Sequence, residues 1–274
     1  MSTTITCLCD NNVKLSTSLK GEHGISFYIE NGKENILFDT GQSYYVLSSN
    51  AQILEKDLSK AEKIVLSHGH YDHTGGLFGL VGKSGHTIYG HPDIFEQKFK
   101  RDCEGNLTPI GMPFTKEDIE KHARFDLSDK SRHMAANIIS TGQVPRTEPL
   151  EEVPSLFVKE SEKGIVHDDI LDDQSLIIEG ENSAVVILGC NHSGIINTVS
   201  YCSQLTKLPI SLVAGGTHLV AAGPERMAAT IEYLKKRGIK LMGFHCTGDK
   251  ASETLAAALG PLYERGHVGM VISV

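Results

Sequence analysis

The chain has 274 residues, 40% of them hydrophobic, which is enough apolar sequence for a real core. Its formal net charge of −8 argues against nucleic-acid binding. We interpret the short basic clusters at 98–101 and 235–237 as solvated helix faces. No apolar run is long enough to span a bilayer, and the first residues lack the pattern of an export signal. We therefore expect a cytoplasmic protein without a membrane partner.

Short apolar strands and turns alternate along the first seventy residues. Residues 3–9 and 25–30 have strand patterns, and the apolar run 36–38 leads into the turn Asp39-Thr40-Gly41. After a predicted helix at 43–54, the apolar run 64–66 predicts a buried strand. That strand leads directly into the most unusual segment of the chain.

This segment packs three histidines and an aspartate into six residues: His68, His70, Asp72 and His73. Their spacing fits neither one face of a helix nor one face of a strand, so it predicts a loop. His and Asp are ligands for borderline divalent metals, and no cysteine pair lies nearby to close a structural zinc site. The pattern favours an open, catalytic metal site over four solvated polar residues in a turn.

From about residue 92 to 170 the periodicity loosens and prolines interrupt it. One helix is predicted from Thr115, whose hydroxyl can cap it ahead of Asp118. Phenylalanines give the stretch apolar anchors, so its composition is unlike that of a linker. We interpret it as a lid-like insertion within a single domain that covers residues 1–274.

Strands and helices alternate over the last hundred residues, with strands predicted at 185–188, 210–213 and 239–242 and helices after Ser193, Pro224 and Ser252. His192 and His245 each follow one of these strands, where α/β folds gather functional groups. Without that context, a lone histidine at a strand end is more often a hydrogen-bonded loop residue.

Together these residues resemble the metallo-β-lactamase superfamily, because the histidines and aspartate at 68–73 match its metal-binding signature. The resemblance implies an α/β fold, the four-layer αββα sandwich, with metal ions at one edge. Within the superfamily the chain looks most like the branch named for 7,8-dihydropterin-6-ylmethyl-4-(β-D-ribofuranosyl)aminobenzene-5'-phosphate synthase. The segments that carry this finer match are 22–26, 172–174, 189–194, 215–219 and 245–248.

The resemblance also implies two groups of three ligands, one for each ion. They are His68, His70 and His192 for the first ion, and Asp72, His73 and His245 for the second. A water shared between the ions would be the nucleophile or base. Zinc is the expected ion, although the same ligands accept iron or manganese. Asp39 would accept a hydrogen bond from a ligand histidine, and the alternative is a plain turn.

The chain departs from the common superfamily pattern at 214–218, Ala-Gly-Gly-Thr-His, where many members place a bridging aspartate. Whether one ion or two bind therefore stays open. His218 could be an acid or base, a substrate contact, a spare ligand or a structural histidine. Asp72, Asp39 and His218 are the candidate catalytic side chains.

Ser193-Gly194 and Thr247-Gly248 each lie between a strand and a helix, where free N–H groups and the helix dipole favour an anion, although capping is the commoner role. The candidate substrate contacts are Asn11, Glu22, His23, Tyr71, Ser193 and Thr247.

We expect an enzyme that activates a metal-bound water against a small anionic ester, lactone or phosphoester. The branch name implies a different reaction, a transferase that condenses a pterin with a ribosyl-aminobenzene phosphate. A redox di-iron protein is a third hypothesis, which His70 disfavours because such relatives usually have a glutamate there. Both a monomer and a homo-oligomer stay open.

Overall fold

The computed structural model describes residues 2–81 and 85–274, which form eighteen strands and seven α-helices. The strands are β1 Thr4–Cys9, β2 Ser26–Glu30, β3 Asn35–Phe38, β4 Lys63–Val65, β5 Thr87–Gly90, β6 Lys98–Arg101, β7 Leu107–Pro109, β8 Arg124–Leu127, β9 Arg132–Ala135, β10 Ile138–Ser140, β11 Phe157–Ser161, β12 Gly164–His167, β13 Ser175–Glu179, β14 Ala184–Leu188, β15 Ile210–Gly216, β16 Lys240–Phe244, β17 Tyr263–Arg265 and β18 Val271–Ser273. The helices are α1 Tyr44–Ile53, α2 Tyr71–Thr74, α3 Leu77–Leu80, α4 Lys116–Glu120, α5 Ile195–Leu205, α6 Pro224–Arg237 and α7 Asp249–Leu259.

Two seven-stranded sheets pack face to face, with strand orders β18-β1-β2-β3-β4-β5-β8 and β17-β16-β15-β14-β13-β10-β9. Buried apolar side chains from both sheets, among them Phe27, Phe38, Ile187 and Phe244, form the core between them. Helices α1, α3 and α4 cover the outer face of the first sheet. Helices α5, α6 and α7 cover the second. This is the four-layer αββα sandwich that the resemblance implied.

Local sequence explains where the predicted helices begin and end. The Thr115 and Asp118 side chains form a reciprocal capping box at the start of α4. Helix α6 begins at Pro224 and ends at Gly238, which has a left-handed φ of 65°. Helix α7 starts at Asp249, three residues before the predicted start. None of the helices in the described ranges is both long and apolar enough to cross a membrane.

The region predicted as an insertion divides between three sheets. Strands β6, β7, β11 and β12 form a small third sheet. Beside this sheet, His70 of the segment 68–73, called the metal loop below, forms an isolated β-bridge with Gly111. Strands β8, β9 and β10 instead extend the edges of the two main sheets. The sequence did not predict this, because β8 alternates exposed and half-buried residues without an apolar run.

The prediction of a solvated helix face at 98–101 is wrong, because these residues form strand β6 and Lys98 is buried. It lies on β6 and donates hydrogen bonds to Asp168 at 3.1 Å and to Asp172 at 2.9 Å. Asp172 in turn accepts the backbone N–H of Gly69 at 2.8 Å. Lys98 therefore ties the small sheet to the metal loop. Lys100 on the same strand is exposed.

We expect Lys98→Met to lower the free energy of unfolding by about 3–5 kcal/mol, because it leaves two buried aspartates without their cation. Urea unfolding at equal metal content measures the effect. Lys100→Met is the matched control, and it should change stability by less than about 0.5 kcal/mol. Equal stability of the two variants would contradict this role for Lys98.

Candidate metal centre

The candidate site lies at one edge of the sandwich, where strands of both sheets end. In the first sheet, Asp39 follows β3 and the segment from His68 to His73 follows β4. Asp72 and His73 lie in the short helix α2, where the sequence predicted a loop. In the second sheet, His192 lies just beyond β14 and His245 follows β16. Residues far apart in sequence thus meet because the strands that carry them end at the same edge.

The first group of candidate ligands is His68, His70 and His192. One ring nitrogen of each lies within 4.8 Å of the others, and His68 Nε2 is 2.9 Å from His70 Nδ1. Burial and the neighbouring imidazoles lower the pKa of His68 and of His192, and burial lowers that of His70 to about 4. All three are therefore neutral, which is the form that binds metal ions.

The second group contains Asp72, His73 and His245, and the structure adds Cys190 to it. Asp72 Oδ2 is 3.6 Å from His73 Nε2 and 3.1 Å from His245 Nε2. Burial alone would lower the pKa of His73, but the carboxylates of Asp72 and Asp39 raise it to about 9. Despite burial, His73 and His245 hold the pKa of Asp72 below its usual range. The carboxylate of Asp72 thus gives this group a buried negative charge, which a bound cation would neutralise.

Asp39 and Ser67 hold the histidines of the metal loop in place. Asp39 Oδ2 is 2.6 Å from His73 Nδ1, and it accepts the Ser67 hydroxyl at 2.7 Å. Ser67 Oγ is also 2.9 Å from His68 Nδ1. The contact expected for Asp39 is present, and its effect on metal affinity stays a prediction. Ser67 was not singled out from the sequence, since an isolated serine carries no signal.

Backbone strain is concentrated at this edge. Asp39, Asn191, His218 and His245 all have φ between 43° and 58°, in the left-handed region that non-glycine residues rarely occupy. Such strain persists only where the surrounding structure enforces it, and it clusters at functional sites.

His218 lies beside the first group. Its ring centroid is 4.3 Å from that of His192. Burial and the charge of Arg226 lower its pKa to about 3, so the imidazole is neutral. Phe157 from the small sheet stacks on His70 and also contacts His218, which gives the first group an apolar cover. No motif or periodic pattern in the sequence singles out Phe157.

Three of the predicted substrate contacts lie near the second group. The half-exposed His23 has its Nε2 3.3 Å from Asp72 Oδ2 and lies close to Tyr71. Asn11 has its Oδ1 2.8 Å from His245 Nδ1, so it orients that histidine. His23 and Tyr71 thus lie beside the second group and their substrate role stays a prediction, whereas Asn11 supports a candidate ligand.

The other three predicted contacts are engaged within the chain. Glu22 accepts the hydroxyl and N–H of Ser43 at the start of α1. Ser193 donates both its N–H and its hydroxyl to Asp173, and Thr247 Oγ1 accepts the hydroxyl of Thr217. Their substrate roles stay predictions that these bonds do not support.

The start of α5, which the sequence suggested for anion binding, already holds an anion from the chain itself. Glu151 accepts the N–H groups of Ile196 and Asn197 at 2.9 and 2.8 Å. Because Glu151 comes from the 92–170 region, 45 residues away in sequence from Ile196, local patterns could not reveal this contact.

Two buried cysteines flank the second group, and all six cysteines of the chain are free. Cys190 Sγ is 3.1 Å from His73 Nε2. Burial raises the pKa of Cys190. It also raises that of Cys246, but the Cys190 thiol and the charge of His245 lower the latter to about 7.

The residues present fit a metal centre. Buried ring nitrogens of His70, His192 and His245 have no partner in hydrogen-bond geometry among the described residues, although His245 Nε2 lies 3.1 Å from Asp72 Oδ2. Unpartnered buried polar atoms are uncommon in folded proteins, so three of them at one site need an explanation. Ligation of metal ions at the two groups would satisfy all three.

Comparison with known proteins agrees with this geometry. A family model described as the metallo-beta-lactamase superfamily matches residues 20–195. The chain is 35% identical over 263 residues to the 7,8-dihydropterin-6-methyl-4-(beta-D-ribofuranosyl)-aminobenzene-5'-phosphate synthase of Methanocaldococcus jannaschii, covering 92% of this chain and 90% of that protein. It is 34% identical to an uncharacterized protein of the same organism, covering 92% of this chain and 94% of that protein. A crystal structure described as a metal-dependent hydrolase of the beta-lactamase superfamily superposes with a TM-score of 0.86 at 25% identity, over 99% of each chain.

We expect Asp39→Asn to weaken metal binding by about 10–100-fold, because the neutral amide no longer stabilises the His73 ring in its ligating orientation. Competition with a chromophoric chelator measures the affinity. Asp57→Asn is the control, since the Asp57 carboxylate is exposed and contacts its sequence neighbours Ser59 and Lys60. An Asp39→Asn protein that binds metal as tightly as the unaltered chain would contradict the orienting role.

Proposed function

The chain belongs to the metallo-β-lactamase superfamily and is an enzyme of that superfamily, and from this premise we propose that it activates water against a small anionic ester, lactone or phosphoester. The observation that carries the proposal is the pair of adjacent ligand groups, buried and with unpartnered histidine nitrogens. Groups of this composition, three imidazoles in one and two imidazoles with a carboxylate in the other, suit zinc in a catalytic role.

We assign the first group to one zinc ion and the second group to another. When bound, such ions supply Lewis acidity, which polarises an ester or phosphoryl oxygen and acidifies water. Asp72 is ionised and faces both His73 and His245, so it can also accept a proton from a reacting water. Asp39 positions His73 for these tasks.

An anionic substrate is supported by an arginine near the site. Two guanidinium nitrogens of Arg226, Nε and Nη2, are buried without a hydrogen-bond partner among the described residues. The charge of Arg226 reaches His218 and helps to lower its pKa. A buried guanidinium with free donors is suited to a phosphate or carboxylate. The net charge of −8 makes a small molecule a better substrate than nucleic acid.

A second candidate is a pterin condensation, which the identity to the dihydropterin-linked synthase over 90% of that protein supports. In that reaction the site would bind a phosphorylated pterin and displace pyrophosphate. Ions held by the same histidines would supply Lewis acidity for the leaving pyrophosphate, and the same arginine would bind that anion. The two candidates therefore share a site and differ in whether water or the amino nitrogen of the aminobenzene attacks.

We expect the unaltered protein to contain about two zinc ions per chain and to hydrolyse a generic phosphodiester or lactone. His68→Ala should lower both the metal content and the turnover, because it removes a ligand whose loop contributes little core. Elemental analysis and a chromogenic assay measure the two quantities. His122→Ala is the control, because His122 is exposed and outside both ligand groups.

Metal content that His68→Ala leaves unchanged would contradict the ligand assignment. Metal-loaded protein that hydrolyses neither substrate, but joins a dihydropterin pyrophosphate to ribofuranosyl-aminobenzene phosphate, would favour the synthase. Mass spectrometry of that mixture distinguishes the condensed product from simple release of pyrophosphate.

We also expect Arg226→Met to raise the KM for an anionic phosphodiester by about 10-fold or more, because a hydrogen bond to a charged group contributes about 1.5–3 kcal/mol. Metal content should not change. Arg237→Met is the control, since Arg237 lies exposed at the far end of the same helix, over the ring of Tyr233. An equal KM in both variants would rule out anion recognition by Arg226.

A further inference from the structure

The strand that would carry a bridging acid has no room for one at its last residue. Strand β15 ends at Gly216, where an added Cβ would lie 2.4 Å from the carbonyl oxygen of Gly189 and 2.7 Å from Cys246 Sγ. The next residue, Thr217, is buried and donates its hydroxyl to Thr247. Neither residue carries a carboxylate, and an acid at Gly216 would clash, so a second anionic ligand would have to come from another segment of the chain.

We propose that Cys190 supplies this ligand, so that its thiolate and the carboxylate of Asp72 hold the second ion together with His73 and His245. The proposal rests on the proposed function in requiring a metal at this site. It adds a ligand of a different chemical kind, sulfur, on the loop after β14 rather than after β15.

The distances within the group fit one ion. Cys190 Sγ is 3.1 Å from His73 Nε2, and Asp72 Oδ2 lies 3.6 and 3.1 Å from the nearest nitrogens of His73 and His245. A tetrahedral zinc ion with its usual bond lengths separates its ligand atoms by roughly 3.3–3.6 Å. The three distances in this group, 3.1–3.6 Å, are therefore close to the separation of ligand atoms around one zinc ion.

Cys246 is the rival thiol, and its hydrogen bonds run to the Cys190 thiol and to the backbone. Its Sγ accepts the N–H of His218 at 3.2 Å and donates to the carbonyl oxygen of Cys190 at 3.4 Å. Among the described residues, the group whose ligand atoms lie mutually within 4.8 Å includes Cys190 and not Cys246.

A sulfur ligand changes which ions the second position accepts. Thiolate selects zinc and similarly soft ions over manganese or magnesium, which prefer oxygen. A thiol that coordinates a divalent ion is deprotonated, so each ion bound here should release the Cys190 proton to solvent.

Cobalt substitution tests the assignment through a signal that does not depend on activity. We expect the unaltered chain loaded with two equivalents of Co²⁺ to show a thiolate-to-cobalt charge-transfer band in the near ultraviolet. Cys190→Ala should lose this band and bind about one equivalent instead of two. Cys246→Ala and the exposed Cys103→Ala should keep both the band and the second ion.

A measurement on the unaltered chain keeps the proposal testable if Cys190→Ala does not fold. The ¹¹³Cd NMR spectrum of the protein loaded with two cadmium ions should contain two resonances. One should lie in the downfield range of sulfur-ligated cadmium, and the other in the range of nitrogen and oxygen ligands.

The outcomes separate this inference from the proposed function. Two bound ions without a charge-transfer band or a downfield resonance would overturn the role of Cys190 and leave the metal-dependent enzyme intact. A band that disappears in Cys246→Ala and persists in Cys190→Ala would also overturn it. A chain that binds no cobalt or cadmium would overturn both proposals.

Discussion

The structure depends on the meeting of buried, ionisable side chains at one edge of two packed sheets. Removing a charged group from water costs several kcal/mol unless a partner compensates it. The two ligand groups respond differently. Burial lowers the pKa of the histidines in the first group, whereas in the second group the carboxylates of Asp72 and Asp39 raise the pKa of His73 above its usual value. A divalent cation at each group would supply a partner for these buried side chains. The unpartnered nitrogens therefore indicate metal binding rather than packing.

Several independent parts of the fold fix this edge. In the first sheet, Asp39 contacts His73 and Ser67 contacts His68, while Ser67 also donates its hydroxyl to Asp39. Asn11, beyond β1, orients His245 across the interface between the sheets. The small sheet adds Lys98, which reaches the metal loop through Asp172 and the N–H of Gly69. Because each support comes from a different element, the ligand positions are determined by the fold as a whole and are organised in advance of binding.

Sequence reasoning succeeded where the signal was local and failed where it was not. The histidines at 68–73 lie within six residues, and α6 has a proline at its start and a glycine just after its end. Both features could therefore be predicted from short stretches of sequence. Family resemblance supplied the sandwich, which periodicity alone could not. The burial of Lys98 depends on aspartates about seventy residues away, and the contact of Cys190 with His73 joins two sheets. A lysine in a basic cluster and a single cysteine carry no sequence signal for such long-range contacts.

A thiolate in place of a bridging carboxylate makes the two halves of the site unequal. A carboxylate can place one oxygen on each of two ions, whereas the sulfur of Cys190 lies with the second group alone. The second group then carries two anions, and the first has only neutral imidazoles. A divalent ion at the first group would keep its full charge, so it would attract an anionic substrate to the first group. The same half has Phe157 as its apolar cover and His218 beside His192, and the charge of Arg226 reaches it. The asymmetry of the ligands and the placement of the arginine thus orient a substrate in the same direction.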